Sequence, residues 1–282
     1  MQTVTKGVEE TDLRHAELPP GTLRIVQITD THLYAEPASR LLGVNTLDSF
    51  RKVIREIRGT GWPADLVLAT GDLVHDASAE GYRQLAALLE DFGCDVFCLP
   101  GNHDEPAVMR EHLRSGHVSS PRVVDSGNWR ILLLDSVTPG KVGGHLDEAE
   151  LQHLAEKLQQ SERPTLIALH HQPVAVGSAW IDQHGLDNAA ELLSLIQEAP
   201  QVRGILWGHV HQVYDRMHGA VRFMASPSTC VQFAPHSHGF AVDRKQPGFR
   251  LLALTPDGSI HTQVLRVPSI PAGLELTSSG YE

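Results

Sequence analysis

The chain holds 17 histidines, and histidine is the commonest metal ligand in proteins. Several stand beside Asp, Asn or Gly in five short motifs: Asp30-Thr31-His32, Gly71-Asp72, Gly101-Asn102-His103-Asp104, His170, and Gly208-His209-Val210-His211. Carboxylate, imidazole and carboxamide donors without thiolate suit manganese, iron or zinc, and do not suit a Cys-rich structural zinc centre. The seven candidates Asp30, His32, Asp72, Asn102, His170, His209 and His211 are too many for one ion that keeps an open position. They fit two ions sharing a bridging carboxylate, roughly 3.5–4 Å apart, as in dinuclear hydrolases. Two divalent ions set against two carboxylates leave such a centre positive and suited to an anionic substrate. A lone Asp-x-His or Gly-Asp is common by chance and usually marks a turn, so the specific element is Gly-Asn-His-Asp.

What would bring these residues together is a set of strands. Near-continuous apolar runs predict strands over Leu23–Thr29, Asp65–Thr70, Asp95–Leu99, Trp129–Leu134, Pro164–Leu169 and Arg203–Trp207, the pattern of strands covered on both faces. Amphipathic stretches separate them, so the first half reads as α/β. Five of the six runs end directly at one of the motifs. In parallel α/β sheets the ligand crevice lies beyond the carboxyl ends of the strands, which predicts one site rather than five. An extended backbone would turn Asp30 and His32 to the same side, and likewise His209 and His211. Glycines 71, 101 and 208 would allow the tight turns.

Helix signals are also present. Asn188 with Glu191 and Asp147 with Glu150 read as capping boxes, and Leu151, Leu154, Ala155 and Leu158 form an apolar stripe suited to packing on a sheet. After His211 the pattern becomes closely spaced strands, Val221–Ala225, Thr229–Phe233, Phe249–Thr255 and Thr262–Val267, a mostly antiparallel finish. One domain over residues 21–270 is expected, with a flexible extension over 1–20 and a tail over 271–282.

Composition narrows the partners. With 41% hydrophobic and 20% charged residues the chain is of ordinary globular type. The formal charge of −11 argues against nucleic acid as a partner. Neither a signal-peptide run nor a spanning run is present, so no membrane is expected. Cys94, Cys98 and Cys230 match no zinc knuckle or disulfide framework and read as buried thiols in a reducing compartment. The expected location is the cytoplasm.

With these motifs in hand, the chain resembles the calcineurin-like metallophosphoesterases, whose motifs are Asp-x-His, Gly-Asp, Gly-Asn-His-Asp or Glu, a lone His, and Gly-His-x-His. Within that family it is most similar to the bacterial class III 3',5'-cyclic-AMP phosphodiesterases. That similarity extends to Leu41–Thr46, Trp180–His184 and Pro227–Phe233. The resemblance implies a four-layer α/β/β/α sandwich and hydrolysis of 3',5'-cyclic AMP to 5'-AMP by a bridging hydroxide, lowering cellular cyclic AMP. It implies one metal on Asp30, His32, Asp72 and His211 and a second on Asp72, Asn102, His170 and His209, with Asp72 as the bridge. It tilts the metals towards iron, with manganese as a substitute. It further implies nucleotide contacts from His32, Asp72, Asn102 and His103. In the mechanism expected from these residues, Asn102 helps to stabilise the phosphoryl oxygens. His103 protonates the leaving 3'-oxygen and Asp104 orients it. The partner would be a small cyclic nucleotide, bound by a monomer or homodimer.

Other readings stay open. The metal motifs are shared by enzymes that cleave other phosphodiesters or nucleotide pyrophosphates, and a non-catalytic scaffold or a nuclease fits less well. His171 is expected to pack or to make a hydrogen bond rather than to ligate, and His236 and His238 to face solvent. Trp180–His184 could cover a nucleotide or form a subunit contact.

Overall fold

A computed structural model describes residues 12–280. In chain order the elements begin with β1 (Leu23–Ile28), β2 (Arg40–Leu41), β3 (Val44–Asn45), α1 (Thr46–Gly59), β4 (Leu66–Thr70), α2 (Ala79–Glu90), β5 (Asp95–Leu99) and α3 (Pro106–His112). There follow β6 (Val118–Ser119), β7 (Val123–Ser126), β8 (Trp129–Leu133), α4 (Glu148–Gln159), β9 (Thr165–Ala168), α5 (Ala179–Asp182), α6 (Ala189–Gln197) and β10 (Val202–Trp207). The chain closes with β11 (Tyr214–His218), β12 (Val221–Ala225), β13 (Gln232–Phe233), β14 (Val242–Asp243), β15 (Gly248–Leu254) and β16 (Ile260–Arg266).

Two six-stranded sheets dominate, ordered β16-β15-β1-β4-β5-β6 and β11-β12-β10-β9-β8-β7. Their central strands β1, β4, β5 and β8, β9, β10, β12 pair in parallel, while β15, β16, β7 and β11 add antiparallel borders. Period-two alternation explains the layering. On β1, Leu23 and Ile25 meet Leu133, Leu166 and Leu206 of the other sheet, whereas Val26 and Ile28 face Phe50 and Val53 of α1. On the opposite outer face, Leu154 and Leu158 of α4 and Leu192 and Ile196 of α6 pack on Ile167 and Ile205. Three stacked cores therefore separate four layers, the α/β/β/α sandwich expected.

The helices start where short polar side chains can accept from an otherwise unpaired backbone amide. Asn45 accepts from Asp48 N at 2.8 Å, Ser78 from Gly81 N at 3.1 Å and Asp147 from Glu150 N at 2.7 Å. The box expected at Asn188 does not form. Its carboxamide instead bonds both the N–H and the carbonyl of Leu146, which ties α6 to the loop before α4. The return half of the Asp147 box is also absent, because the Glu150 carboxylate accepts from Asp135 N and Arg122.

Both chain ends dock where they are described. Of the extension expected over 1–20, residues 1–11 lie outside the described residues. Leu13, however, is buried in the core under α1, and its N–H donates to Gln263 Oε1 at 3.0 Å. Of the tail expected over 271–282, residues 281–282 lie outside the described residues, while Leu274 packs beside Leu41, Val44 and Phe233, and Glu275 N donates to Leu42 O at 3.0 Å. Neither segment is loose there, because each covers an apolar surface. No helix among the described residues is long and apolar enough to cross a membrane.

Candidate metal centre

The motif residues meet where β1, β4, β5, β9 and β10 end. Backbone bonds fasten the loops side by side: Asp30 N donates to Gly71 O at 3.0 Å, His32 N to Asp72 O at 2.9 Å and Gly208 N to His170 O at 3.2 Å. Asp30, His32, Asp72, His170, His209 and His211 are all buried there. Asn102 and His103 are half-buried beside them.

The backbone does not run extended through the paired motifs. Asp30, His32, Asp72, His209 and His211 all adopt positive φ, between 45° and 63°. Same-side presentation thus comes from alternating left-handed residues, not from strand pleat. Such residues cost of order 1–3 kcal/mol each and persist where surrounding structure over-determines them.

The glycines act differently from one another. Gly71 has φ 90° and turns the chain. Gly101 and Gly208 are needed for space: a Cβ on Gly101 would lie 2.3 Å from Asp72 N and Oδ1, and one on Gly208 would lie 2.1 Å from Thr29 Oγ1.

Four clusters result among the described residues, each with its donor atoms within 4.8 Å of one another: Asp30/His32/His211 and Asp30/Asp72/His170 share Asp30, and His32/His75/His103 and His170/His171/His209 flank them. His211 Nε2 lies 3.3 Å from Asp30 Oδ1 and 3.2 Å from His32 Nε2. Asp72 faces both sides, with Oδ2 3.7 Å from His32 Nε2 and Oδ1 3.4 Å from His170 Nε2. Its Oδ1 also accepts from His103 N at 2.9 Å.

Each of three histidines has one ring nitrogen on a backbone carbonyl. His170 Nδ1 donates to Thr70 O at 2.9 Å, His211 Nδ1 to Val231 O at 2.9 Å and His209 Nε2 to His184 O at 3.1 Å. That bond fixes the tautomer and aims the other nitrogen's lone pair inward, the arrangement usual for a metal-binding imidazole. Of the buried side-chain atoms without a hydrogen-bond partner among the described residues, five belong to these motifs: Asp30 Oδ2, Asp72 Oδ2, Asn102 Oδ1, His170 Nε2 and His209 Nδ1. Leaving a buried polar atom unpaired costs about 1–3 kcal/mol, and more for a charged group. A convergent set of lone pairs is the chemistry that cations satisfy, so the residues fit metal.

Titration follows the packing. Burial opposes charge on His170, but the Asp72 and Asp30 carboxylates beside it raise its pKa to about 9. Although burial alone would raise Asp72, its histidine neighbours, His170 foremost, hold it well below the usual carboxylate range. His32 and His209 are pushed far down by burial. Burial, reinforced by the charge of Asp72, lifts Asp104 to about 6.

Asp104 does not orient His103. Its carboxylate accepts from Leu73 N, Val74 N, Gly101 N and the Tyr82 hydroxyl, between 2.9 and 3.2 Å. It clamps the Asp72 loop to the Gly101 loop, because four donors surround it in a buried pocket. The His103 ring instead stacks on His75, with centroids 4.3 Å apart and planes at 20°. His75 also places Nδ1 3.0 Å from His32 Nδ1. Sequence reasoning missed His75, whose one signal is a place three residues after Asp72.

His171 is spent elsewhere, with Nδ1 2.8 Å from Ser136 Oγ and Nε2 3.1 Å from Val142 O. His236 and His238 are exposed. Trp180 lies edge-on to Phe233 and Phe240, and Phe233 stacks flat on His211 at 4.1 Å. These aromatics form a wall behind a donor histidine.

The sequence profile described as calcineurin-like phosphoesterase matches residues 23–213. The chain is 40% identical over 271 residues to the 3',5'-cyclic adenosine monophosphate phosphodiesterase CpdA of Pseudomonas aeruginosa, covering 95% of this chain and 99% of that protein. The protein of the same name from Vibrio vulnificus is 43% identical, over 94% of this chain and 97% of its own. Among solved structures, a dimetal phosphatase from Danio rerio covers 87% of this chain and 99% of its own, with TM-score 0.60 and 16% identity. A purple acid phosphatase from yellow lupin covers 88% of this chain and 52% of its own, with TM-score 0.62 and 15% identity. These two likenesses speak for the fold alone.

Proposed function

This chain belongs to the calcineurin-like phosphoesterase family, and we propose that it hydrolyses 3',5'-cyclic AMP to 5'-AMP at a centre of two metal ions. The observation that carries the reading is the set of five buried donor atoms without hydrogen-bond partners that converge where the strand ends of the two sheets meet. The choice of cyclic AMP rests on the near full-length similarity to phosphodiesterases of that name.

In this reading Asp30, His32, Asp72 and His211 hold one ion, and Asp72, Asn102, His170 and His209 the other. When bound, the ion pair supplies an activated water near neutral pH and positive charge opposite the phosphoryl oxygens. The chain's own residues do the rest. His32, Asp72, Asn102 and His103 contact the nucleotide, and the Asn102 carboxamide steadies a phosphoryl oxygen. His103, with its backbone held by Asp72 Oδ1, gives a proton to the departing 3'-oxygen, a poor leaving group without one. The native metal is iron with manganese as a substitute. The enzyme acts in the cytoplasm as a monomer or homodimer, and through this reaction lowers cyclic AMP.

Metal-stripped protein restored with Fe(II) or Mn(II) should convert cyclic AMP to 5'-AMP, and Asn102→Ala should not. Turnover of bis(p-nitrophenyl) phosphate alone would keep the metal centre and move the substrate to another phosphodiester or a nucleotide pyrophosphate. For the acid, His103→Ala should lose about 10²–10⁴-fold in kcat while retaining both ions; full turnover would remove His103 from that role.

A further inference from the structure

One side chain outside the expected donor set touches histidines on both the metal side and the substrate side of the centre. His75 sits half-buried in the turn after β4. Its Nδ1 is 3.0 Å from His32 Nδ1, and its ring lies 4.3 Å from that of His103 at 20° and 4.9 Å from that of Tyr34 at 41°. We propose that His75 is a positioning residue that fixes the tautomer and ring plane of His32 for metal binding and braces the ring of His103. The proposal rests on the two-metal reading above.

The tautomer argument runs through proton counting. His32 Nε2 faces the other donors, 3.2 Å from His211 Nε2 and 3.7 Å from Asp72 Oδ2. A neutral imidazole that offers Nε2 to a cation carries its proton on Nδ1. That proton points at His75 Nδ1, which accepts it, so His75 carries its own proton on Nε2. The acceptor facing His32 therefore belongs to a side chain. His170, His209 and His211 use the carbonyls of Thr70, His184 and Val231. A carbonyl survives substitution of its residue and an imidazole does not. Of the four histidine donors, His32 is thus the one whose orientation a single substitution can release.

Stacking adds the second half. A ring held by a hydrogen bond on one atom and by parallel contact on its face has few orientations left. The His103 ring, stacked on His75 and edge-on to His32 at 5.0 Å, is thereby aimed by the same residue that aims His32.

Calorimetric titration of the metal-stripped full chain with Mn(II) tests this. Wild type should bind two ions. His75→Phe keeps an aromatic face and removes the acceptor, and should weaken one of the two ions by about 10–100-fold. His75→Gln, whose carboxamide oxygen can accept from His32, should restore most of that affinity. Circular dichroism establishes that each variant is folded, and His75→Leu substitutes for the Phe variant should that one not fold. Wild-type affinity for both ions in the folded Phe or Leu variant overturns the proposal, as does failure of Gln to recover what Phe loses. Three ions in wild type with one lost in the variant also overturns it, by making His75 a ligand. A wild-type chain that binds no Mn(II) overturns the two-metal reading, and the proposal falls with it.

Discussion

Arg250 and the metal centre are both polar, both buried between the sheets, and finished in opposite ways. The Arg250 guanidinium donates to Ser226 Oγ, Asp215 Oδ2, Thr262 Oγ1, Ala225 O and Tyr214 O, between 2.7 and 3.2 Å. Ser226 donates onward to Gln27, whose amide reaches Thr70 Oγ1 at 2.8 Å and Trp207 O at 3.2 Å. Gln27, Thr70 and Trp207 stand two or three residues before Asp30, Asp72 and His209 on the same three strands. Within that distance the chain passes from a continuous hydrogen-bond network, in which the Trp207 indole N–H alone of these side chains is left over, to Asp30 Oδ2, Asp72 Oδ2 and His209 Nδ1, each without a hydrogen-bond partner. Burying a polar atom is tolerable only with a partner. The first region therefore serves the fold, and the second awaits something from outside it.

The widest break of the comparison comes from Asp72→Asn. Losing the carboxylate that faces both clusters should cost about 10³-fold or more in kcat/KM, several kcal/mol of transition-state stabilisation. The thermal unfolding midpoint of the metal-free variant should fall modestly, since the carboxylate that pairs with His170 is neutralised. A large fall in metal-free stability would show that Asp72 is structural.

Arg250→Met should behave inversely. Asp215 keeps its bonds from Arg222, but Ser226 and the carbonyls of Ala225 and Tyr214 lose a donor inside the sandwich, and buried polar atoms left unpaired cost about 1–3 kcal/mol each. Urea unfolding should register that loss, while the number of Mn(II) ions bound stays the same. Failure of metal binding in a folded Arg250→Met protein would merge the two regions into one.

Gly101→Ala probes the border between them. Its Cβ would meet Asp72 N and Oδ1 at 2.3 Å and His170 Cε1 at 2.8 Å, so the clamp around Asp104 must open. The expected result is about 1–3 kcal/mol of destabilisation together with weaker metal binding. Destabilisation without a change in Mn(II) affinity would mean that the loops shift while the donors stay in register.

Much of this contrast is visible in the sequence because motifs and strand ends coincide. Val, Ile and Leu runs marked β1, β4, β5, β8, β9 and β10 to within about one residue, since strands covered on both faces are apolar throughout. Of the border strands, β15 and β16 were legible as Phe249–Thr255 and Thr262–Val267, whereas β7 and β11 were not. Tyr214–His218 carries Asp, Arg, Met and His and is largely exposed, and Val123–Ser126 has only two apolar residues in four and is mostly half-buried. Thr229–Phe233 was expected as a strand, but only Gln232–Phe233 pairs. Positive φ at Asp30, His32, Asp72, His209 and His211 left no trace, because no glycine stands at those positions. Asp104 was assigned by adjacency to His103, while its actual partners come from two other segments. Such long-range pairings of short polar side chains carry no period that a sequence can display.

The smallest expected effect separates a spent histidine from a waiting one. His171 lies against His170 and His209, yet both its ring nitrogens are engaged by Ser136 and Val142. Burial first, and then the charge of His170, lower its pKa to about 3. A histidine whose folded pKa lies below its unfolded value near 6.5 contributes stability that is present above pH 6.5. That contribution is lost as pH falls towards the folded value. By pH 5 the loss from this one group is about 2 kcal/mol. His171→Gln should therefore destabilise the metal-stripped protein at pH 7, where two hydrogen bonds are lost, and its penalty should shrink by about 2 kcal/mol at pH 5. Urea titrations at the two pH values give the difference directly. A penalty of equal size at both would mean that His171 accepts a proton in the folded protein, and that its nitrogens are not committed to Ser136 and Val142.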